Sequence, residues 1–252
     1  SRSTSSLGTV GGNTPTQPWR NVKPKVSLIV PVINGLAPHK TVPRLFKEAK
    51  EHGLATVMGL DRDTTDGTLE ATRHLVDHLV PFDCDVCYIE GNMNEIADAA
   101  ETEWGFWVCD DELPSEQLWQ FAANIYKHGP YIHRPHMLAP LPDWTASYKP
   151  LNTYQPRLFR MDSIRWTGGG MDRLVNESLP ERNIPEVLWH FNIWASRESR
   201  EEKVRLHEAA WQEAWQYHPW PPSSNKAYLW EDYPADVESL ESYREYLPDP
   251  LK

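Results

Sequence analysis

The chain is poor in cysteine, with three in 252 residues. An odd and small number argues against a disulfide framework and suits a reducing compartment. No apolar run approaches the roughly 20 residues that a membrane span needs, so no transmembrane helix is expected. No charged-then-apolar leader opens the sequence, and the cytoplasm is the expected location. A basic surplus is also missing: 25 Lys and Arg face 36 Asp and Glu, a formal charge of −11. That balance argues against gripping nucleic acid through bulk charge and leaves room only for a local basic patch. The turn after the first apolar run, Pro31-Val32-Ile33-Asn34-Gly35, carries neither G-x-G-x-x-G nor G-x-x-x-x-G-K. A dinucleotide enzyme and a P-loop ATPase are therefore disfavoured. What is plentiful is tryptophan, 12 residues, which points to large packed or stacking surfaces.

Residues 1–22 are rich in Ser, Thr, Gly and Pro and read as a flexible tail. From residue 23 to 128 apolar runs alternate with helical spacing. Val26 to Val32 reads as a strand buried on both faces. Thr41 to His52 puts Val42, Leu45, Phe46 and Ala49 on one helical stripe, with Gly53 ending it. Leu54–Leu60, Asp85–Glu90 and Trp104–Val108 read as further strands. Helices are expected from Asp66 to Leu79, from Asn92 to Glu101, and from Pro114 to about Lys127. Strand–helix alternation with short connections predicts an α/β fold, a mostly parallel sheet flanked by helices. The region 129–217 begins with a Pro-rich stretch, 130–156, expected to form loops or edge strands, and ends in an amphipathic helix over 196–217. Residues 218–252, rich in Pro and aromatics, read as an extension wrapping the domain.

In an open α/β sheet, ligands bind beyond the carboxyl ends of the strands. That rule selects Pro31–Asn34, Asp61–Asp66, Glu90–Asn92 and Cys109–Glu112. The run Trp104-Gly-Phe-Trp-Val-Cys-Asp-Asp-Glu112 ends an apolar strand in three carboxylates, which repel unless a cation or water compensates them. A hard divalent ion bridging them to a diphosphate is one solution. A solvated loop whose acids cap a helix at Pro114 is the other. Asp66 or Thr65 can cap the helix that follows them. Asp61, at the strand tip, is not needed for that cap and could accept a hydrogen bond from a nucleobase imide.

Taken in order, Val26-Ser-Leu-Ile-Val-Pro-Val-Ile-Asn34, Asp61…Thr65-Asp66-Gly67-Thr68, an Asn-bearing helix and Asp110-Asp111-Glu112 resemble a family 2 glycosyltransferase. Their counterparts are the V-S-x-I-I-P-x-x-N, D-x-G-S-T-D-G-T and D-x-D-E signatures. Tyr154-Gln-Pro-Arg-Leu-Phe-Arg160 and Ile164-Arg-Trp-Thr-Gly168 resemble the P-R-L-F-R … I-R-W-x-G-x-x-H-E block of the bacterial and phage branch, and Trp189-His190 its L-x-H element. The likeness spans roughly residues 25–210, and joint order is more specific than any one motif.

This resemblance implies a Rossmann-like glycosyltransferase A fold with a helical, Pro- and Trp-rich C-terminal extension. Residues 23–128 would bind a nucleotide-sugar donor and 129–217 would supply the acceptor side. It implies that Asp61 reads the base and that Pro31, Val32 and Asn34 wall the nucleotide. Asn94, Asp110, Arg197 and Lys203 join the nucleotide site. Asp111 and His190 would hold Mn²⁺ or Mg²⁺. Asp172 would act as general base in an inverting transfer from a nucleotide diphosphate sugar, a uridine diphosphate sugar first among them.

The sequence departs from the pattern in three places. Cys109 stands at the first acid of D-x-D unless the register slides to Asp110-Asp111-Glu112. Asp63-Thr64 replaces Gly-Ser, and Met171-Asp172 replaces His-Glu. The acceptor stays open among a saccharide, a protein and a modified DNA base, as does the oligomeric state. A non-catalytic nucleotide- or sugar-binding module is a rival, predicting binding without turnover. A nucleotidyltransferase would need a Gly-rich basic loop after the first strand, which Asn34-Gly-Leu-Ala37 lacks.

Four other features have simpler expectations. Cys84-x-x-Cys87 has no second pair for zinc and reads as structural. His133-Arg-Pro-His136 reads as a surface or acceptor loop. Trp211 and Trp215, four apart on the late helix, read as packing residues. Arg197–Arg205 reads as a solvated face laced with ion pairs.

Overall fold

The computed structural model describes residues 23–84, 92–166, 174–175, 179–202, 205 and 237–247. The expected strand at Asp85–Glu90, Cys87, Asp172, Lys203, Trp211 and Trp215 lie outside the described residues. β1 (Val26–Val32) is buried along its whole length, as a β-branched apolar run between two layers must be. α1 (Val42–Glu51) buries Val42, Leu45, Phe46 and Ala49. Each such side chain contributes about 1.5–3 kcal/mol on leaving water. Gly53, at φ +76°, ends the helix in the left-handed region that a Cβ disfavours. β2 (Ala55–Asp61) pairs parallel with β1, and β4 (Trp104–Trp107) pairs parallel on β1's other side.

Between β2 and β4 the chain differs from the helical expectation over Asp66–Leu79. Helix α2 is only Thr68–Thr72; a 3₁₀ turn follows at Arg73–Leu75, and β3 (His78–Phe82) then joins β2 in parallel. Asp77 breaks the helix by turning back onto β2. Its carboxylate accepts from the backbone N–H of Thr56 at 2.9 Å, and Lys50 pairs with it. Pro81 is tolerated because β3 ends the sheet among the described residues, where a missing donor leaves no described strand unpaired. α3 (Met93–Asp98) buries Met93, Ile96 and Ala97. It lies directly on β2: a Cβ built on Gly59 would sit 2.3 Å from Ile96 Cδ1.

The α/β class is as expected, with helices covering a sheet of ten strands. Its spine runs β12–β7–β6–β8–β4–β1–β2–β3. The β3–β2–β1–β4 part is parallel, and the remainder mixes both senses. The Pro-rich stretch is not a loop or an edge. β6 (Ile132–Pro140) is an interior strand pairing with β7 (Ala146–Tyr154), β8 (Leu158–Arg160) and β11 (Glu181–His190). Its prolines fit because the β6–β11 ladder breaks register between Asn183 and Val187, where Pro135 and Pro185 stand. A bulge removes the hydrogen bonds that proline could not make. His133 and His136, expected on a surface loop, are therefore buried in β6. Burial pulls His133 down to a pKa of about 4.

Pro114 does not open a helix. It ends β5 (Glu112–Pro114), which pairs antiparallel with β11. Ser115 caps α4 (Glu116–Ala123), accepting from Leu118 N at 3.2 Å. A two-stranded ribbon joins β9 (Arg165–Trp166) to β10 (Leu174–Val175). β12 (Val237–Ser239) pairs with β7, and a 3₁₀ helix at Leu240–Tyr246 packs behind it. Tyr246 O accepts the Trp189 indole N–H at 3.0 Å, and Glu245 O accepts from Gln117 at 3.2 Å, so the described part of this segment is hydrogen-bonded to β11 and α4. No helix among the described residues is long and apolar enough to cross a membrane.

Candidate functional site

Three turns meet at the carboxyl ends of β1, β2 and β4. The first two are stitched together by backbone–side-chain hydrogen bonds. Gly35 N donates to Thr68 Oγ1 at 2.8 Å and Leu36 N to Asp66 Oδ2 at 2.7 Å. Asn34 N donates to Thr64 Oγ1, and Asn34 Oδ1 accepts from Thr65 N at 3.2 Å. Asn34 adopts φ +47°, a conformation that Asn tolerates better than most residues. Asp66 also accepts from Thr68 N at 3.1 Å. Burial would raise the Asp66 pKa, but the bonds from Thr68 and Leu36 outweigh it and hold the carboxyl below its ordinary value. The Asp-Gly-Thr signature thus shapes the floor of the site.

The third turn carries the three acids, and they are buried rather than solvated: Asp110, Asp111 and Glu112 are 3%, 4% and 0% exposed. Pro114 ends β5, and the cap of the helix that follows is Ser115 and not one of these acids. Three adjacent buried carboxylates are untenable without cations. Lys40, from the turn after β1, pairs with Asp110 Oδ1, while Asp110 Oδ2 accepts from Ile33 N at 3.2 Å. Thr41 N donates to the Asp110 carbonyl at 2.9 Å. Arg157, just before β8, pairs with Glu112 Oε1 at 2.7 Å, and Glu112 Oε2 accepts from Cys109 N at 2.8 Å. The Arg157 guanidinium lies over the Trp107 ring, 4.5 Å from its centroid. Burial would lower its pKa, but Glu112 beside it more than compensates and raises it above the ordinary arginine value. Asp111 faces His190, with Nε2 and Oδ1 3.5 Å apart, and the Asp111 carbonyl accepts from Phe191 N at 2.8 Å. His190 Nδ1 is buried and meets no hydrogen-bond partner among the described residues.

The structure therefore brings Pro31, Val32, Asn34, Asp61, Asp110, Asp111 and His190 to one end of the sheet. Pro31 and Val32 are buried in β1. Asp61 Oδ1 accepts from Cys84 N at 3.3 Å and Asp63 N at 3.5 Å, so part of its carboxylate holds the turn after β3. Asn94 clasps the backbone of Trp166, giving a bond at 2.9 Å and taking one at 3.0 Å. Arg197 pairs with Glu201 at 2.8 Å on an exposed helical face, in the ion-pair pattern expected of Arg197–Arg205. Two cations that meet these acids, Lys40 and Arg157, were not assigned to them from the sequence. The signal was present in the acids themselves, because a buried Asp-Asp-Glu run demands counter-charges.

No known protein family's profile matches the chain, and no curated protein matches it. Solved structures of TarS from S. aureus are similar in fold. The fragment 1–349 shares 15% identity over 80% of this chain and 68% of that one, with a TM-score of 0.46. A longer TarS structure shares 17% over 80% of this chain, with a TM-score of 0.47, and this chain spans 41% of it. TarS 1–349 in complex with UDP-GlcNAc shares 17% over 80% of this chain and 69% of that one, with a TM-score of 0.40. Likeness at this level carries no functional weight for this chain.

Proposed function

We propose that the protein is a metal-dependent, inverting glycosyltransferase that uses a nucleotide diphosphate sugar, a uridine diphosphate sugar first among them. The observation that carries this reading is the division of the buried acids. Asp110 and Glu112 each hold a cation of their own, while Asp111 faces His190 at the carboxyl ends of the parallel strands. The ordered motifs around them support the same class.

The donor set fits a hard divalent ion. Asp111 offers a carboxylate, and His190 a buried imidazole whose Nδ1 lacks a partner among the described residues. No group of three or more His, Cys, Asp or Glu is gathered there among the described residues. Two protein ligands suit Mg²⁺ or Mn²⁺ completed by substrate phosphates and water. When bound, the ion offsets charge on the departing nucleoside diphosphate. Lys40 and Arg157 keep Asp110 and Glu112 from repelling that diphosphate, and the Asn34–Thr65 stitch holds the two turns that wall it. Asp61 accepts from the base. Asp172 takes the proton of the acceptor hydroxyl as its oxygen attacks the anomeric carbon opposite the leaving group, which inverts configuration.

The test is calorimetric titration of UDP with Mn²⁺ and with EDTA, on the wild type and Asp111→Ala. Binding should require both metal and Asp111; equal binding by Asp111→Ala would remove the metal assignment. Asp172→Ala should keep donor binding and lose transfer. Transfer near the wild-type rate would remove the base assignment.

A further inference from the structure

A second pocket, of about 520 Å³, opens where the β6–β7 hairpin meets the C-terminal 3₁₀ helix. Trp144, Leu240 and Leu247 supply its apolar lining, and Ser239, Glu241 and Arg244 its polar lining. Trp144 is held there against its backbone preference. It sits at φ +59°, in a turn closed by its own N–H donating to Leu141 O at 2.9 Å. Gly or Asn would occupy that position without strain, and a bulky residue in the left-handed region calls for an explanation beyond the turn.

Packing explains half of the ring. Trp144 meets Trp189, Phe191 and Trp194 at 5.4–5.9 Å between centroids. The other half lines the pocket. The indole N–H groups of the two neighbouring tryptophans are satisfied, Trp189 by Tyr246 O and Trp194 by Pro140 O.

We infer that this pocket binds an uncharged saccharide, stacked on Trp144. A sugar presents apolar C–H faces to an indole and hydroxyls to its rim. The rim suits it: Glu241 and Arg244 pair with each other at 3.1 Å, so they offer donors and acceptors with no net charge between them. A phosphate or nucleic acid would find no uncompensated cation on this rim, because Glu241 already neutralises Arg244. The pocket is one ring away from the acid site, because Trp144 touches Phe191, whose N–H binds the Asp111 carbonyl. Assigning this saccharide as the acceptor rests on the transferase reading above; its binding does not.

The experiment uses the full chain on an array of neutral oligosaccharides, anionic glycans and duplex DNA, followed by titration of the best neutral glycan. Neutral glycans should bind. Trp144→Gly, which removes the ring and suits the turn, should weaken that binding at least about tenfold, as loss of a stacking anchor does. Trp144→Phe should recover most of it. UDP titration with Mn²⁺ runs alongside on each variant. Glycan binding without UDP binding would keep this pocket and remove the uridine diphosphate donor from the transferase reading. No neutral glycan bound, binding confined to anionic ligands, or wild-type affinity in Trp144→Gly would overturn the pocket.

Discussion

The two ends of the sheet hold polar chemistry in opposite ways. Around β1, β2 and β4, charge is buried and matched, cation by cation: Lys40 to Asp110, Arg157 to Glu112. Around β6, β7 and β12, buried indoles hand their N–H groups to backbone carbonyls, and the charges stay at the surface as pairs such as Glu241–Arg244. The first arrangement is strong where it is complete and collapses when one partner is lost. The second tolerates the loss of a charge and depends on ring packing. A site for a charged donor belongs to the first region, and a pocket for an uncharged ligand to the second.

The largest expected effect falls where the two regions are joined. Arg157 enters just before β8 and neutralises Glu112, where the chain leaves the parallel strand β4 for β5. Arg157→Met should cost about 3–5 kcal/mol in thermal or denaturant unfolding, by stranding a buried carboxylate. Adding Glu112→Gln should return much of that loss. Equal instability of the single and double variants would show that packing on Trp107, not charge, is what Arg157 supplies.

A smaller effect should stay inside the parallel half. Gly59→Ala forces Ile96 away from β2, and overpacking of this kind costs about 1–3 kcal/mol. Near-ultraviolet circular dichroism, dominated by the tryptophan cluster, should remain native in this variant. Its loss would mean that the two regions do not respond separately.

The smallest effect is one of pH. Burial would raise the Asp77 pKa, but the bonds from Lys50 and Thr56 outweigh it and hold the carboxyl below the ordinary aspartate value. A lowered folded pKa contributes stability that is present above the unfolded value and is lost as pH falls through the folded one. Asp77→Asn should therefore flatten the acid limb of a stability–pH curve below about pH 4. An unchanged acid limb would move that sensitivity to other carboxylates, Asp66 among them.

Much of the parallel half was legible because its signals are local. Val26–Val32 has no polar residue apart from Ser27, and α1 shows its stripe at helical spacing. Over 66–82 the sequence misleads, since Leu69, Leu75, Val76 and Leu79 keep helical spacing through a segment that turns into a strand. The deciding contact, Asp77 with Thr56, joins residues distant in sequence. β6 was obscured by its prolines, whose tolerance depends on a bulge formed with β11. Asp110, Asp111 and Glu112 could be picked out as chemistry-bearing residues. The resemblance names Asp111 and His190 together, but the allotment of Asp110 to Lys40 and of Glu112 to Arg157 could not be read, because those cations arrive from separate elements.

The order of strands in the sheet also sets an order in time. β4 is bordered on one side by β1 and on the other by β8, through Phe106 facing Leu158. As the chain is synthesised, β1, β2, β3 and β4 can pair before β8 exists. The outer rim of β4, in Trp104-Gly-Phe-Trp, then stands open with unpaired backbone groups. Arg157 precedes β8 by one residue, so the strand that closes this rim brings the counter-ion of Glu112 with it. Until then the nascent half carries both a sticky edge and an uncompensated acid. One short segment, Arg157–Arg160, therefore both seals the edge and neutralises the acid.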